Sequence, residues 1–323
     1  MPVLAVHGLS TSFTSGGRTA YAVREVSFDV SAGRTVGIVG ESGSGKTITA
    51  LSVMGLLPPG ASVTSGRIEL DGVGDLTRVS QNTLRSVRGT RIAMIFQDSM
   101  TSLNPLLTIE TQIVESLRVH LGLRGGRARA RALELLEEMG VPEPERRLSQ
   151  FPHQLSGGLR QRVAAAVALA PDPDVLIADE PTTALDVTIQ AQLLELLRRE
   201  QQTRGMALIL ITHDLGVVAG MADEVCVMYA GRVVEYGEVD AIFKRPRHPY
   251  TKALLDSVPR LSGALDLRLR SIPGNPPSIW DIETGCSFSR RCPIAFDRCS
   301  AETPPLTGVP GRLSACFAVE EEE

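Results

Sequence analysis

Residues 35–47, TVGIVGESGSGKT, constrain the fold of this 323-residue chain more than any other stretch. Thr35–Val39 is a short, mostly apolar run that reads as a buried strand. A turn rich in glycine follows, and Lys46-Thr47 opens a helical pattern. The spacing is G-x-x-x-x-G-K-[ST] on Gly40, Gly45, Lys46 and Thr47, in the strand–turn–helix setting that gives it meaning. Glycines let the chain curl so that successive N–H groups face inward toward phosphate oxygens. The helix N-terminus adds partial positive charge. Only three lysines occur, Lys46, Lys244 and Lys252, and one stands where a compact ammonium must thread between phosphates and arginine's planar fork cannot. Ser42, Gly43, Ser44, Gly45, Lys46, Thr47 and Ile48 are therefore expected to line a nucleotide site. Lys46 would reach the β- and γ-phosphates and the Thr47 hydroxyl would ligate Mg²⁺. Ile48 would offer only its backbone N–H.

The remainder of the chain fits an α/β fold. In VSFDV, Val26, Phe28 and Val30 alternate onto one face. RIEL and RIAMIF read as strands, so the first ninety-odd residues are strands and turns around one buried helix. From about residue 99 to 170 the pattern is helical, and RARARALELLEEMG stops at Gly140, a plausible C-cap. Alternation then returns: VLIAD as strand, DVTIQAQLLELLRREQQTRG as helix, ALILIT and EVCVMY as strands. This is a mostly parallel sheet with a helical insertion. HPYTKALLDSV gives one more short helix. From Ile272 onward the chain reads as loops with too little periodicity to bury a core unaided, so it needs a staple.

Composition excludes several classes. No apolar run approaches the roughly 18 residues of a membrane helix. MPVLAVHGLS lacks the basic-then-apolar order of a signal peptide, which predicts a cytoplasmic location where stable disulfides are disfavoured. Net charge is −4. The arginines of RGGRARARA read as a solvated helix start, and no nucleic-acid partner is expected.

The chemistry-bearing motifs recur further on. VLIAD runs into Asp179-Glu180. Asp179 is placed to hold Mg²⁺, and Glu180 to polarise an attacking water. In QLSGGLRQR a Ser-Gly-Gly turn opens a helix, which makes a second anion cradle from Ser156, Gly157 and Gly158. With ITHD after a strand, the set resembles the ATPase subunit of an ATP-binding cassette (ABC) transporter over roughly Val3 to Arg245. Leu155–Leu159 match the signature, Gln97 the Q-loop, TALD ending at Asp186 the D-loop, and His213 the switch histidine. A kinase or GTPase with a phosphate loop would lack the Ser-Gly-Gly signature. An ABC-type ATPase acting on DNA or ribosomes would carry a coiled-coil insertion or a second cassette.

The resemblance implies a RecA-like core with a helical insertion, and a head-to-tail dimer with ATP between the phosphate loop of one subunit and the signature of the other. Glu180 would be the general base and His213 would contact the γ-phosphate. Gln97 would link Mg²⁺ and the lytic water to the helical subdomain. An aromatic residue before the phosphate loop usually stacks on adenine; Phe13 fits best and Tyr21 is the alternative.

FQDSMTSLNP, IADEPTTALDVTIQAQLLELL and RHPYTKALL narrow the resemblance to the ATPases of oligopeptide and dipeptide importers, a group that also serves nickel. Two departures are Leu159 for the signature's final Gln and Ser99 where proline is commoner; neither removes a phosphate or metal ligand. The expected division is an ABC domain at 1–245 and an importer-type extension at 246–323. Expected partners are a paralogous ATPase, two integral permeases and an extracytoplasmic solute-binding protein. The chain itself would lie peripherally on the cytoplasmic face of the membrane.

The tail gathers Cys286, Cys292, Cys299 and Cys316, whereas Cys226 reads as a core residue. Zinc usually shows paired C-x₂-C knuckles, which are absent. Four thiolates can also hold a [4Fe–4S] cluster, one per iron, and spacing alone does not separate the two. The resemblance to peptide importers with this cysteine pattern implies the cluster, with zinc as the runner-up and a structural role as the staple.

Overall fold

The computed structural model describes residues 1–97, 102–183, 185–257, 271–282 and 284–320. Ser99, Ala184 of the D-loop and the last three glutamates lie outside them. Among the described residues the strands are β1 Pro2–Ser15, β2 Arg18–Ser31, β3 Thr35–Val39, β4 Ala61–Leu70, β5 Gly74–Asp75, β6 Ile92–Ile95, β7 Val175–Asp179, β8 Ala207–Ile211, β9 Glu224–Tyr229, β10 Arg232–Glu238, β11 Thr307–Val309 and β12 Arg312–Ser314. None of the described helices is long and apolar enough to cross a membrane.

The chain forms two compact units. The first comprises Met1–Val3, Val30–Arg34 and Arg78–Ile211. Its sheet is parallel, with β7 between β6 and β8; Ile92 lies opposite Val175, and Val175 opposite Ala207. Every residue of these three strands is buried, which is why they read as continuous apolar runs rather than alternating ones. The helical insertion holds Ile109–Leu121, Gly125–Glu138, Pro144–Leu148 and Gly157–Leu169. Ile109, Ile113 and Leu117, four residues apart, are wholly buried, as are Ala128, Ala132, Leu135 and Leu136 of the next helix. That stripe is the face a 3.6-residue period produces. Gly140 follows the second helix at φ 60°, the left-handed conformation expected of a helix stop. The short helix Gln81–Val87, capped by Ser80, was not foreseen in the sequence.

The second unit comprises Leu4–Asp29, Thr35–Thr77 and Thr212–Glu323. One of its sheets has the order β2-β1-β4-β5. Val26 and Phe28 are buried between exposed neighbours on β2, as their alternation predicts. In the other sheet β3 pairs in parallel with β9, and β10, β12 and β11 add antiparallel beyond it. The helices Lys46–Met54, Leu215–Met221, Val239–Lys244 and Pro249–Asp256 belong to this unit.

The tail corrects the expectation of loops from Ile272 onward. Glu235 of β10 pairs with Ser314, and Thr307 with the same serine from the other side. Helices run over Asp297–Ala301 and Phe317–Glu320. Three-residue strands are too short to show a period, so the pattern could not reveal them. Their close approach requires glycine: a Cβ on Gly237 would lie 2.3 Å from the Gly311 carbonyl oxygen. Nor does the tail build its own core. Phe288 is buried in one cluster with Tyr229, Tyr250, Val225 and Val227, its ring 5.3 Å from both tyrosines. Cys226 is fully buried on β9, as expected of a core residue.

Candidate functional site

In the second unit the residues of the glycine-rich turn fold into a cradle. Gly43 and Gly45 have φ of 79° and 102°, a region that residues with a Cβ seldom enter. A Cβ on Gly45 would stand 2.5 Å from the Ala22 carbonyl oxygen, and one on Gly40 would stand 2.2 Å from that of Met228. The helix Lys46–Met54 starts at Gly45 with no side-chain cap, so its first N–H groups are not capped by a side chain. Lys46 is buried and its ammonium donates to the carbonyls of Gly40 at 2.7 Å and Glu41 at 3.0 Å. The Ser44 hydroxyl is buried without a hydrogen-bond partner. Uncapped N–H groups, a buried ammonium and an orphaned hydroxyl suit a phosphate group. Thr47 and Ile48 are half-buried on the first turn and Ser42 is exposed. Phe13, on β1, is half-buried, whereas Tyr21 is exposed. His213 is exposed, just before the helix Leu215–Met221, which Asp214 caps.

The first unit brings a second group together. Asp179 is buried at the end of β7. Glu180, next in sequence, has φ 45°, a conformation costing about 1–3 kcal/mol outside glycine. Its N–H donates to the Ile211 carbonyl at 2.8 Å. One carboxylate oxygen accepts from Gln97 Nε2 at 3.1 Å and from the Thr183 hydroxyl at 2.8 Å. Ser156 caps the helix Gly157–Leu169, and Asp186 caps Val187–Arg204 by accepting from the Ile189 N–H at 2.9 Å. A Cβ on Gly158 would meet Ile189 at 2.7 Å, so the Ser-Gly-Gly turn packs close to the helix that Asp186 opens.

Two residues escaped sequence reasoning. Gln161 is buried, and its Nε2 donates at 2.6 Å to the carbonyl of Pro181, the residue after Glu180. Gln161 stands between Arg160 and Arg162, so nothing in the local pattern marks it as the buried one. Arg291, from the tail, grips Glu41 inside the phosphate loop; nothing in the sequence pairs residues so far apart.

The four tail cysteines line one small cavity with Phe288, Phe296 and Phe317. Cys286 N–H donates to the Cys299 carbonyl at 2.8 Å. The sulfurs of Cys286, Cys292 and Cys316 accept backbone N–H groups from Phe288, Ile294 and Ala318 respectively, each two residues on. Burial, together with the neighbouring thiols, pushes Cys286 up to about 11 and raises Cys292 and Cys316. No three His, Cys, Asp or Glu side chains among the described residues converge closely enough to hold one metal ion.

Comparison with known proteins decides the family. Residues 23–183 match the ABC transporter family, and residues 234–299 match the oligopeptide/dipeptide transporter C-terminal region. The dipeptide transport ATP-binding protein DppD of Escherichia coli is 50% identical over 317 residues, 98% of this chain and 96% of that protein. The chain belongs to the ATP-binding subunits of the peptide ABC transporters. DppD of Bacillus subtilis is 52% identical over 94% of the chain and 91% of its own length, and the oligopeptide transport ATP-binding protein AppD of that organism 48% identical over 99% and 98%. Among solved structures, the cassette MJ0796 bound to ADP and Pi superposes with a TM-score of 0.66 at 29% identity, covering 73% of this chain and 98% of that one. A mixed α/β cassette with a phosphate loop, expected from residues 35–47, is therefore the fold. As an ABC ATPase the chain uses ATP with Mg²⁺.

Proposed function

We propose that this chain hydrolyses ATP to power import of dipeptides and oligopeptides across the cytoplasmic membrane. The observation that carries this reading is near full-length identity of about half to dipeptide and oligopeptide transport ATP-binding proteins. The test is uptake of a labelled dipeptide by cells lacking the chain. Wild type restores uptake and Lys46→Ala does not; uptake that persists without the chain contradicts the reading.

Each residue's role follows from its chemistry. Lys46 and the N–H groups of residues 42–48 bind the phosphates; Thr47 and Asp179 would hold Mg²⁺, which would supply positive charge to the phosphate oxygens. Glu180 takes the proton of the attacking water; Gln97 and Thr183 aim its carboxylate, and Gln97 would serve as a further ligand to Mg²⁺. His213 contacts the γ-phosphate, Phe13 stacks on adenine, with Tyr21 as the alternative, and Ser156, Gly157, Gly158 and Asp186 serve the opposing subunit's nucleotide. The working division is 1–245 and 246–323. The chain pairs with a paralogous ATPase on two permeases at the inner face of the membrane, and a solute-binding protein delivers cargo.

The four cysteines hold a [4Fe–4S] cluster in this reading. Four thiols lining one cavity can supply one thiolate to each of four irons. Backbone N–H groups of Phe288, Ile294 and Ala318 offset part of the burial that otherwise holds Cys286, Cys292 and Cys316 as thiols.

A further inference from the structure

The second unit contains a cavity of about 250 Å³ that the ATPase reading does not use. Val233, Val234, Phe288, Pro304 and Leu306 form its apolar walls, and Arg24 and Arg232 bring two guanidiniums to it. Arg24 Nη2 donates to two neutral acceptors, the Ala230 carbonyl at 2.9 Å and the Ser287 hydroxyl at 2.7 Å. Arg232 Nη1 reaches Glu25 at 2.6 Å, and the Glu25 side chain is 68% exposed at the rim. The Nε of each arginine is buried and makes no hydrogen bond. Burial, and then the charge of Arg232, push Arg24 down to about 10. Positive charge here exceeds what the one carboxylate at the rim answers.

A buried donor without an acceptor costs about 1–3 kcal/mol, and a guanidinium fork matches an anion that offers two oxygens. We propose that this cavity binds a small oxyanion, carboxylate or phosphate, borne on an apolar group. The oxygens face Arg24 and Arg232, and the apolar body lies against Val233, Phe288 and Leu306. A volume just under the roughly 300 Å³ at which ligand pockets begin limits the occupant to a small molecule. A purely apolar guest would bring no counter-charge to the two guanidiniums, which share the one carboxylate of Glu25.

The cavity also communicates with the phosphate loop. Arg24 N–H donates to the Gly231 carbonyl at 2.7 Å, and Gly231 N–H donates to the Ser44 carbonyl at 3.0 Å. A ligand that draws Arg24 away from Ala230 shifts the turn that supports Ser44. This coupling rests on reading Ser44 as part of the nucleotide site, and it is reciprocal: nucleotide must alter oxyanion affinity by the factor that oxyanion alters nucleotide affinity.

The test is calorimetric titration of the full chain saturated with MgADP, so that the phosphate loop cannot take the probe. Probes are phenyl phosphate and leucyl-leucine, with the C-terminal amide of that dipeptide as a control. We expect at least one of the two oxyanions to bind at one per chain, and whichever binds identifies the source of the anion. The amide should bind at least about tenfold more weakly than the free dipeptide where the dipeptide binds, a loss of about 1.4 kcal/mol. Arg232→Gln should weaken binding by at least about tenfold, and Leu306→Trp, which fills the cavity, should do the same. Both variants should keep MgADP affinity within about twofold, which shows that they are folded. Absence of binding by both oxyanions up to about 10 mM, or binding unchanged in both variants, would overturn the proposal. Should MgADP itself fail to bind, the nucleotide reading falls instead, and the same probes titrated on the free chain still decide the cavity.

Discussion

Arg291 clasps Glu41 with both ends of its guanidinium, Nη1 to Oε2 at 2.6 Å and Nη2 to Oε1 at 3.0 Å. The arginine side chain is 6% exposed and also lies against the rings of Tyr229 and Phe288. The pair joins the cysteine-bearing tail to the second residue of the phosphate loop. Removing one partner of a largely buried, bidentate pair leaves the other without its counter-charge. Arg291→Leu should therefore lose about 2 kcal/mol or more of stability and bind ATP more weakly. Thermal unfolding and equilibrium nucleotide binding check this; an unchanged melting temperature would show that the tail does not brace the loop.

Gly45→Ala should abolish tight nucleotide binding more than it destabilises the fold. The new methyl would meet the Ala22 carbonyl at 2.5 Å at a φ of 102°. Relieving that clash distorts the curl that aims the loop N–H groups. A strain of about 1–3 kcal/mol corresponds to roughly 5–150-fold in affinity, measurable by equilibrium dialysis with labelled ATP.

His248 supplies a pH dependence. It is fully buried, and its Nδ1 accepts from the Tyr250 N–H at 3.0 Å. Burial pushes it down to about 3 from 6.5, so the unfolded chain takes up a proton that the folded chain refuses. Stability from this group is fully present above about pH 6.5 and is lost as pH falls from there toward 3. The slope is at most about 1.4 kcal/mol per pH unit. His248→Asn keeps an acceptor for Tyr250 and removes the titration. The difference in unfolding free energy between wild type and variant should shrink with that slope below pH 6.5. A pH-independent difference would contradict the assignment.

Gln161→Leu should lower stability by about 1–3 kcal/mol by leaving the buried Pro181 carbonyl unpaired. It should reduce the hydrolysis rate with little change in ATP affinity, because Pro181 follows Glu180 directly. Steady-state kinetics separates the two effects.

The sequence carries what is local and periodic. Val175–Asp179 and Ala207–Ile211 were visible because buried parallel strands are uninterrupted apolar runs, and Ser156 because a serine ahead of two glycines opens a helix; Asp186 was marked only by its motif, and its cap on Val187–Arg204 comes from the structure. It does not carry what depends on distant partners. The strands Thr307–Val309 and Arg312–Ser314 have three residues each, and the second owes its place to the edge offered by Glu235–Gly237. The Arg291–Glu41 pair spans 250 positions. The motifs thus supply each candidate residue's chemistry. The structure adds how Gln97 and Thr183 hold Glu180, and how Lys46 rests on its own loop.

Iron content tests the tail. Protein purified without oxygen should be brown and hold about four irons per chain. Cys286→Ser should lower both iron content and melting temperature. Colourless protein with one zinc per chain would replace the cluster by zinc.

The most direct measurement of the central claim is the ATPase rate of Glu180→Gln in the assembled transporter. The carboxylate held by Gln97 and Thr183 is assigned as the general base, and losing such a base costs about 10²–10⁴-fold. The variant should therefore bind ATP as wild type does and turn over at no more than about one-hundredth of its rate. Hydrolysis by Glu180→Gln at the wild-type rate would contradict the account.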